Sequence, residues 1–73
     1  MSYTYTVGPD IVGSSYIINH NLDTEDVLVQ IRDVNTKKEV QVETTIVDEN
    51  TIRLYPTQEQ EVLTLKVIII GIK

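Results

Sequence analysis

Apolar and polar side chains alternate with a period of two along most of this chain, and turn residues cut the pattern into six segments. Tyr3, Tyr5 and Val7 alternate with Thr4 and Thr6 until Gly8-Pro9-Asp10 breaks the run. Gly13-Ser14-Ser15 then closes a short link holding Ile11 and Val12. Tyr16 to Asn19 predicts a second, short strand, followed by a connection from His20 to Glu25. Asp26 to Val34 predicts a third, with Val27, Val29 and Ile31 on one face and Leu28, Gln30 and Arg32 on the other. After the turn Asn35-Thr36-Lys37-Lys38 the pattern returns over Glu39 to Asp48, where Val40, Val42 and Ile46 oppose Gln41, Glu43 and Thr45. This pair is the strongest hairpin signal in the sequence. A tight turn at Asp48-Glu49-Asn50, with Asn50 expected at positive φ, leads into Thr51 to Tyr55. Pro56 to Gln60 is a polar loop before a last strand over Glu61 to Ile72. The expected core is Val27, Val29, Ile31, Val40, Val42, Ile46, Ile52 and Leu54.

The last segment carries a further implication. Leu63, Leu65, Val67 and Ile69 fall on one face of the strand, Val62, Ile68, Ile70 and Ile72 on the other, so both faces are apolar near the end. Such a strand is covered by a second layer or buried against another subunit. Leu63, Leu65, Val67, Ile68, Ile69, Ile70 and Ile72 are therefore candidate interface positions. A helix is the competing reading of Glu59 to Lys73, since Val62, Leu65, Ile69 and Ile72 keep helical spacing. The β-branched run Val67 to Ile70 and the internal Gly71 argue for a strand.

Composition strengthens this picture. Valine, isoleucine and threonine supply 29 of the 73 residues, and branched Cβ atoms favour pleated sheet over helix. We expect one all-β domain over 1–73, a small antiparallel meander or β-sandwich of about six strands with no significant helix. Within it, 1–13 is an N-terminal strand and link and 14–72 the core module. With 11 acidic and 6 basic residues the net charge is −5, which argues against a nucleic-acid partner. There is no cysteine for disulfide or thiolate chemistry. A small core without staples commonly gains stability by self-association. The longest apolar run, Val67 to Ile70, is far short of a membrane helix, and the polar start lacks a signal-peptide pattern, so neither secretion nor membrane insertion is expected.

Candidate chemistry is sparse. His20 is the one side chain that ordinarily titrates near neutrality, and a hydrolase would have to use it. Ser14 and Ser15 sit in a turn without a nucleophile elbow. His20, Asn21, Asp23 and Thr24 are expected to organise a loop through hydrogen bonds to backbone, Asn21 by an Asx-type turn. Asp23, Glu25 and Asp26 lack the glycine and terminal glutamate of a calcium loop. No catalytic residue, metal or cofactor is expected, and the four tyrosines are assigned to packing or interfaces. Candidate recognition positions on exposed loops are Asp23, Glu25, Asp26, Asn35, Thr36, Lys37, Lys38, Thr57 and Gln58.

The stretch from Ser15 to Asp33 resembles a pattern of tailed-bacteriophage virion proteins. In that pattern a short strand runs into His-Asn-Leu-Gly-Thr, then alternating valines, an Asp, a Thr-Gly hairpin, Asp-x-Asn-Thr and a closing strand ending in glycine. The matches are His20-Asn21-Leu22, Thr24, Val27 with Val29, Asp33, Thr36, Val40 with Val42, Asp48 with Asn50 and Thr51, Ile52 with Leu54, and Val67 through Gly71. They cover about residues 14 to 72. Asp23 and Lys37 stand where the pattern has glycine, so those turns are expected to be strained or altered in geometry. The resemblance implies a small β-sandwich module of tail fibres, baseplates or head accessory proteins. It implies a non-enzymatic structural protein located in the virion, made in the host cytoplasm, and partnered with itself, as a trimer, and with other virion proteins. A stand-alone decoration, neck or tail part is the first expectation, with a tail-fibre tip and a fragment of a longer protein left open. A module binding host surface glycan is the alternative, and a small hydrolase the third reading.

Overall fold

The computed structural model describes residues 1–8 and 15–72, so the predicted link holding Ile11 and Val12, together with Ser14, lies outside the described residues. Among the described residues six strands form two three-stranded antiparallel sheets. The first sheet has the order β1 (Ser2–Val7), β6 (Leu65–Gly71), β3 (Val27–Asp33). The second has the order β2 (Tyr16–Asn19), β5 (Thr51–Tyr55), β4 (Glu43–Asp48). Their inner faces share one core. Val7, Ile31, Leu65, Val67 and Ile69 come from the first sheet, Ile18, Ile52 and Leu54 from the second, and Leu22 from the loop between β2 and β3. Each central strand has the alternation its sequence predicts: Leu65, Val67 and Ile69 on β6, and Ile52 and Leu54 on β5, are at most 1% exposed. The all-β expectation is met. The helical reading of the C-terminal segment shrinks to one turn, α1 (Gln58–Glu61). Its start is a capping box in which the Thr57 hydroxyl accepts from the Gln60 amide and the Gln60 side chain accepts from the Thr57 amide. Glu61 to Thr64 thus belongs to this turn and the approach to β6, and the strand begins at Leu65.

The hairpin expected between the third and fourth segments is corrected. It survives as a tight turn and one bridge, Arg32 with Glu39, where the Val40 amide donates to the Ile31 carbonyl (2.8 Å). Beyond it the chain crosses to the other sheet, and Val40 and Val42 pack half-buried against the core. The physical reason is coverage. A single open meander would leave the apolar face of every strand uncovered, whereas placing β4 beside β5 in a second sheet lets two apolar faces bury one another. Ile46 is paired with Ile52 but lies on an edge strand and is 46% exposed, so it leaves the predicted core. Val27 and Val29 are half-buried and packed against the core. Asn50 is not at positive φ; the bulge between Ile46 and Asp48 takes up the odd residue of that hairpin. Among the described residues, the left-handed ones are Asn21 (φ 55°), Asp23 (φ 58°), Lys37 (φ 63°) and Gly8 (φ 86°). A Cβ at Gly8 would also strike the Leu63 carbonyl oxygen, so this glycine is required twice over.

Candidate functional site

Two separate stretches of sequence meet at one end of the sandwich. The His20 and Asn21 amides both donate to the Asn50 carbonyl (2.8 and 3.3 Å), the Asp23 amide donates to Asn50 Oδ1 (2.8 Å), and the Thr24 amide to the Glu49 carbonyl (2.7 Å). Asp48 Oδ1 accepts from the Asn50 amide (2.8 Å), and Thr24 Oγ1 accepts from the Asp26 amide (3.0 Å). These are side chains closing local turns of the kind Asp and Thr favour. The result is a knot tying the β2–β3 loop to the β4–β5 turn. Asn21 takes part through its amide and its left-handed backbone rather than the expected Asx turn.

His20 is the buried centre of this knot, 3% exposed. Its Nδ1 accepts from the Leu22 amide (3.0 Å), so Nδ1 carries no proton and Nε2 does. Nε2 is buried with no hydrogen-bond partner among the described residues. The imidazole acts on its own loop and does not open to solvent. Asp23, Glu25 and Asp26 are exposed around the knot, and among the described residues no three metal-ligating side chains cluster closely enough to hold an ion.

The remaining recognition positions lie at the opposite end. Asp33, 6% exposed, turns its carboxylate inward, where Oδ1 accepts from the Asn35 (2.8 Å) and Thr36 (3.4 Å) amides. Lys37 donates its amide to the Asp33 carbonyl, and the Val34 amide reaches the Thr64 carbonyl. That turn presents Lys37 to a basin of about 350 Å³ lined by Arg32, Val34, Lys37 and Lys66. Asn35, Thr36, Lys38, Thr57 and Gln58 are exposed at this end. The candidate loops therefore make two separate surfaces.

The candidate interface set divides by face. Leu65, Val67 and Ile69 are 0% exposed inside the sandwich, which removes them from any interface, and Leu63 packs half-buried against the core. Ile68 and Ile70 point outward from the central strand, with Ile70 43% and Ile72 49% exposed. Cross-strand register sets Ile70 between Ser2 and Leu28, and Ile68 between Thr4 and Gln30. Leu28 is 59% exposed, so this outer face carries an apolar patch that sequence reasoning credited to β6 alone. The signal for Leu28 was its apolar character on an otherwise polar face. β1 pairs beside β6 along its length and does not cover this patch.

Sequence reasoning also missed a tyrosine ladder on the β1–β2 side. Tyr3 and Tyr5 stack with centroids 6.2 Å apart, Tyr5 and Tyr16 do the same across the two sheets, and the Tyr16 hydroxyl donates to that of Tyr5 (3.2 Å). This hydrogen bond, and secondarily burial, raise the Tyr16 phenol above its ordinary value of 10.0. The spacing of Tyr3 and Tyr5 by two residues was the available clue. Comparison of the chain with family models, with curated proteins and with solved structures gives no match.

Proposed function

We propose that this chain is a non-enzymatic structural protein of a tailed-bacteriophage virion, an accessory or decoration part of head, neck or tail that works as a homo-oligomer. The observation that carries the reading is the knot. The His20-Asn21-Leu22-x-Thr24 and Asp48-x-Asn50-Thr51 halves of the resemblance, far apart in sequence, bond to each other. The two positions where the pattern has glycine, Asp23 and Lys37, are both left-handed. A chance likeness of alternating valines would not select residues that complete one another's turns. The assembly part of the proposal rests on the outer face of the first sheet, where Leu28, Ile68 and Ile70 sit on neighbouring strands in a chain with a small core. A second copy is its occupant, three copies being the number that the resemblance implies.

A host-glycan module is the second reading, favoured by the Tyr3, Tyr5 and Tyr16 ladder, in which Tyr5 is 39% exposed. A hydrolase ranks below both because the imidazole it needs is buried and bonded within its own loop. The deciding experiment locates the protein on intact particles by labelled antibody or cryo-microscopy. A capsid or neck position is the expected result. Restriction to a distal fibre tip, with saturable sugar binding lost in Tyr5→Ala, favours the second reading, and absence from particles overturns both.

A further inference from the structure

An acidic cluster and a basic hollow lie at opposite ends of β3, although Asp33, Glu39, Glu43, Glu59 and Glu61 also stand toward the basic end. Asp23, Glu25 and Asp26 stand just before the strand, and the hydrogen-bonded knot brings Asp48 and Glu49 to the same end, so five of the 11 carboxylates share it. At the far end Arg32 and Lys66 are direct cross-strand neighbours, and Lys37 completes the basin, so three of the six basic residues face one hollow. Like charges placed directly opposite destabilise a sheet. Glu39 stands opposite Arg32 on its other side, but the hollow itself is lined by three basic residues and Val34 with no carboxylate among its lining, which suits an anionic occupant. Seven residues of strand at about 3.3 Å each put roughly 20 Å between the two ends.

We infer that the Arg32/Lys37/Lys66 basin receives the acidic knot of a second copy of this chain, giving head-to-tail contacts. The occupant is chosen by complementarity on the molecule itself. The knot is tied through backbone hydrogen bonds and bears exposed Glu25, Asp26 and Glu49, and the Asp33-capped turn carries Lys37 to the basin. Such a contact is heterologous: each copy uses both ends, so copies stack in a ring or a column. It differs from the lateral apolar contact proposed above in surface, symmetry and salt response, and does not depend on it.

The test is sedimentation velocity of the full chain and two charge-reversed variants, in about 0.02 M and about 0.5 M salt, between which the screening length falls severalfold. The variants are Lys37→Glu/Lys66→Glu and Glu25→Lys/Asp26→Lys, all at positions outside the core, with circular dichroism confirming that each is folded. The expected result is wild-type association at least about tenfold stronger in low salt, lost in each variant alone and restored in their equimolar mixture, where both pairings are again complementary. Wild-type sedimentation indifferent to salt, association of either folded variant alone as in wild type, or a mixture that fails to recover each overturns the inference. An association that persists in high salt and ignores all four reversals belongs to the apolar face and counts against the head-to-tail contact.

Discussion

Replacing His20 in two ways asks which ring nitrogen organises the knot. Nδ1 is bonded to Cγ, and the Oδ1 of asparagine occupies the equivalent place, whereas the amide of glutamine reaches one bond farther, toward the position of Nε2. His20→Asn therefore keeps an acceptor for the buried Leu22 amide, and His20→Gln does not. The orphaned amide of the glutamine variant costs about 1–3 kcal/mol. The asparagine variant loses only the outer ring atoms, including an Nε2 that bonds nothing among the described residues, at about 1 kcal/mol of packing. Against a total stability of about 4–11 kcal/mol for 73 residues, either loss is readable by urea denaturation. With a slope near 1 kcal/mol per molar, the glutamine variant should unfold up to about 2 M earlier than the asparagine variant. Amide exchange at Leu22 gives the local readout, with protection kept in His20→Asn and lost in His20→Gln. A glutamine variant that is the more stable of the two, or that keeps the Leu22 protection, would refute the assignment of the working nitrogen.

Three further predictions follow from burial, backbone and ionisation. Under dilute conditions that keep the chain dissociated, Ile69→Ala should cost about 2–5 kcal/mol and Ile70→Ala less than about 1 kcal/mol by the same denaturation, because adjacent residues of β6 face the core and the outside of the single chain. Lys37→Gly should be neutral to about 1 kcal/mol stabilising, since glycine relieves the left-handed backbone but enlarges unfolded-state entropy, whereas Gly8→Ala should destabilise by more than about 1 kcal/mol. Thermal melts of the pair check the sign, and a stabilising Gly8→Ala contradicts the geometry. The raised Tyr16 phenol means that the folded state holds its proton more tightly, so this contribution is full below pH ~10 and is lost as pH rises through the raised value. Tyr16→Phe should flatten that alkaline loss of stability in a pH series, and an unchanged slope would show that the Tyr5 hydrogen bond does not hold the proton.

The strands were legible because their inner faces obey period two without exception on β5 and β6, and burial there is decided by the pattern alone. Pairing was legible only at the tight turn that joins β4 to β5. The alternation of 39–48 looks the same whether its partner is the preceding strand or β5, and only the need to cover two inner faces selects the latter. Half of the knot could be read from the residues of the 20–24 loop, whose side chains favour local turns. Its other half was legible only as the turn residues Asp48 and Asn50; that the Glu49 and Asn50 carbonyls would accept the loop amides carries no side-chain signal. Positive φ at Asp23 and Lys37 was visible only as a departure from a glycine pattern, while Asn50 looked the better candidate by residue type and was displaced by a bulge. Arg32 and Lys66 became neighbours only through the β3–β6 register, a long-range fact that no local window contains.

The proposed assembly through the outer face of the first sheet is tested most directly by sedimentation equilibrium. The measurement compares wild type with Ile70→Lys at tens of micromolar in about 0.5 M salt, where charge contacts are screened. The expected result is a wild-type oligomer, three copies by resemblance, and a folded monomer for Ile70→Lys. A wild-type monomer at that concentration would contradict it, as would an Ile70→Lys chain that assembles like the wild type.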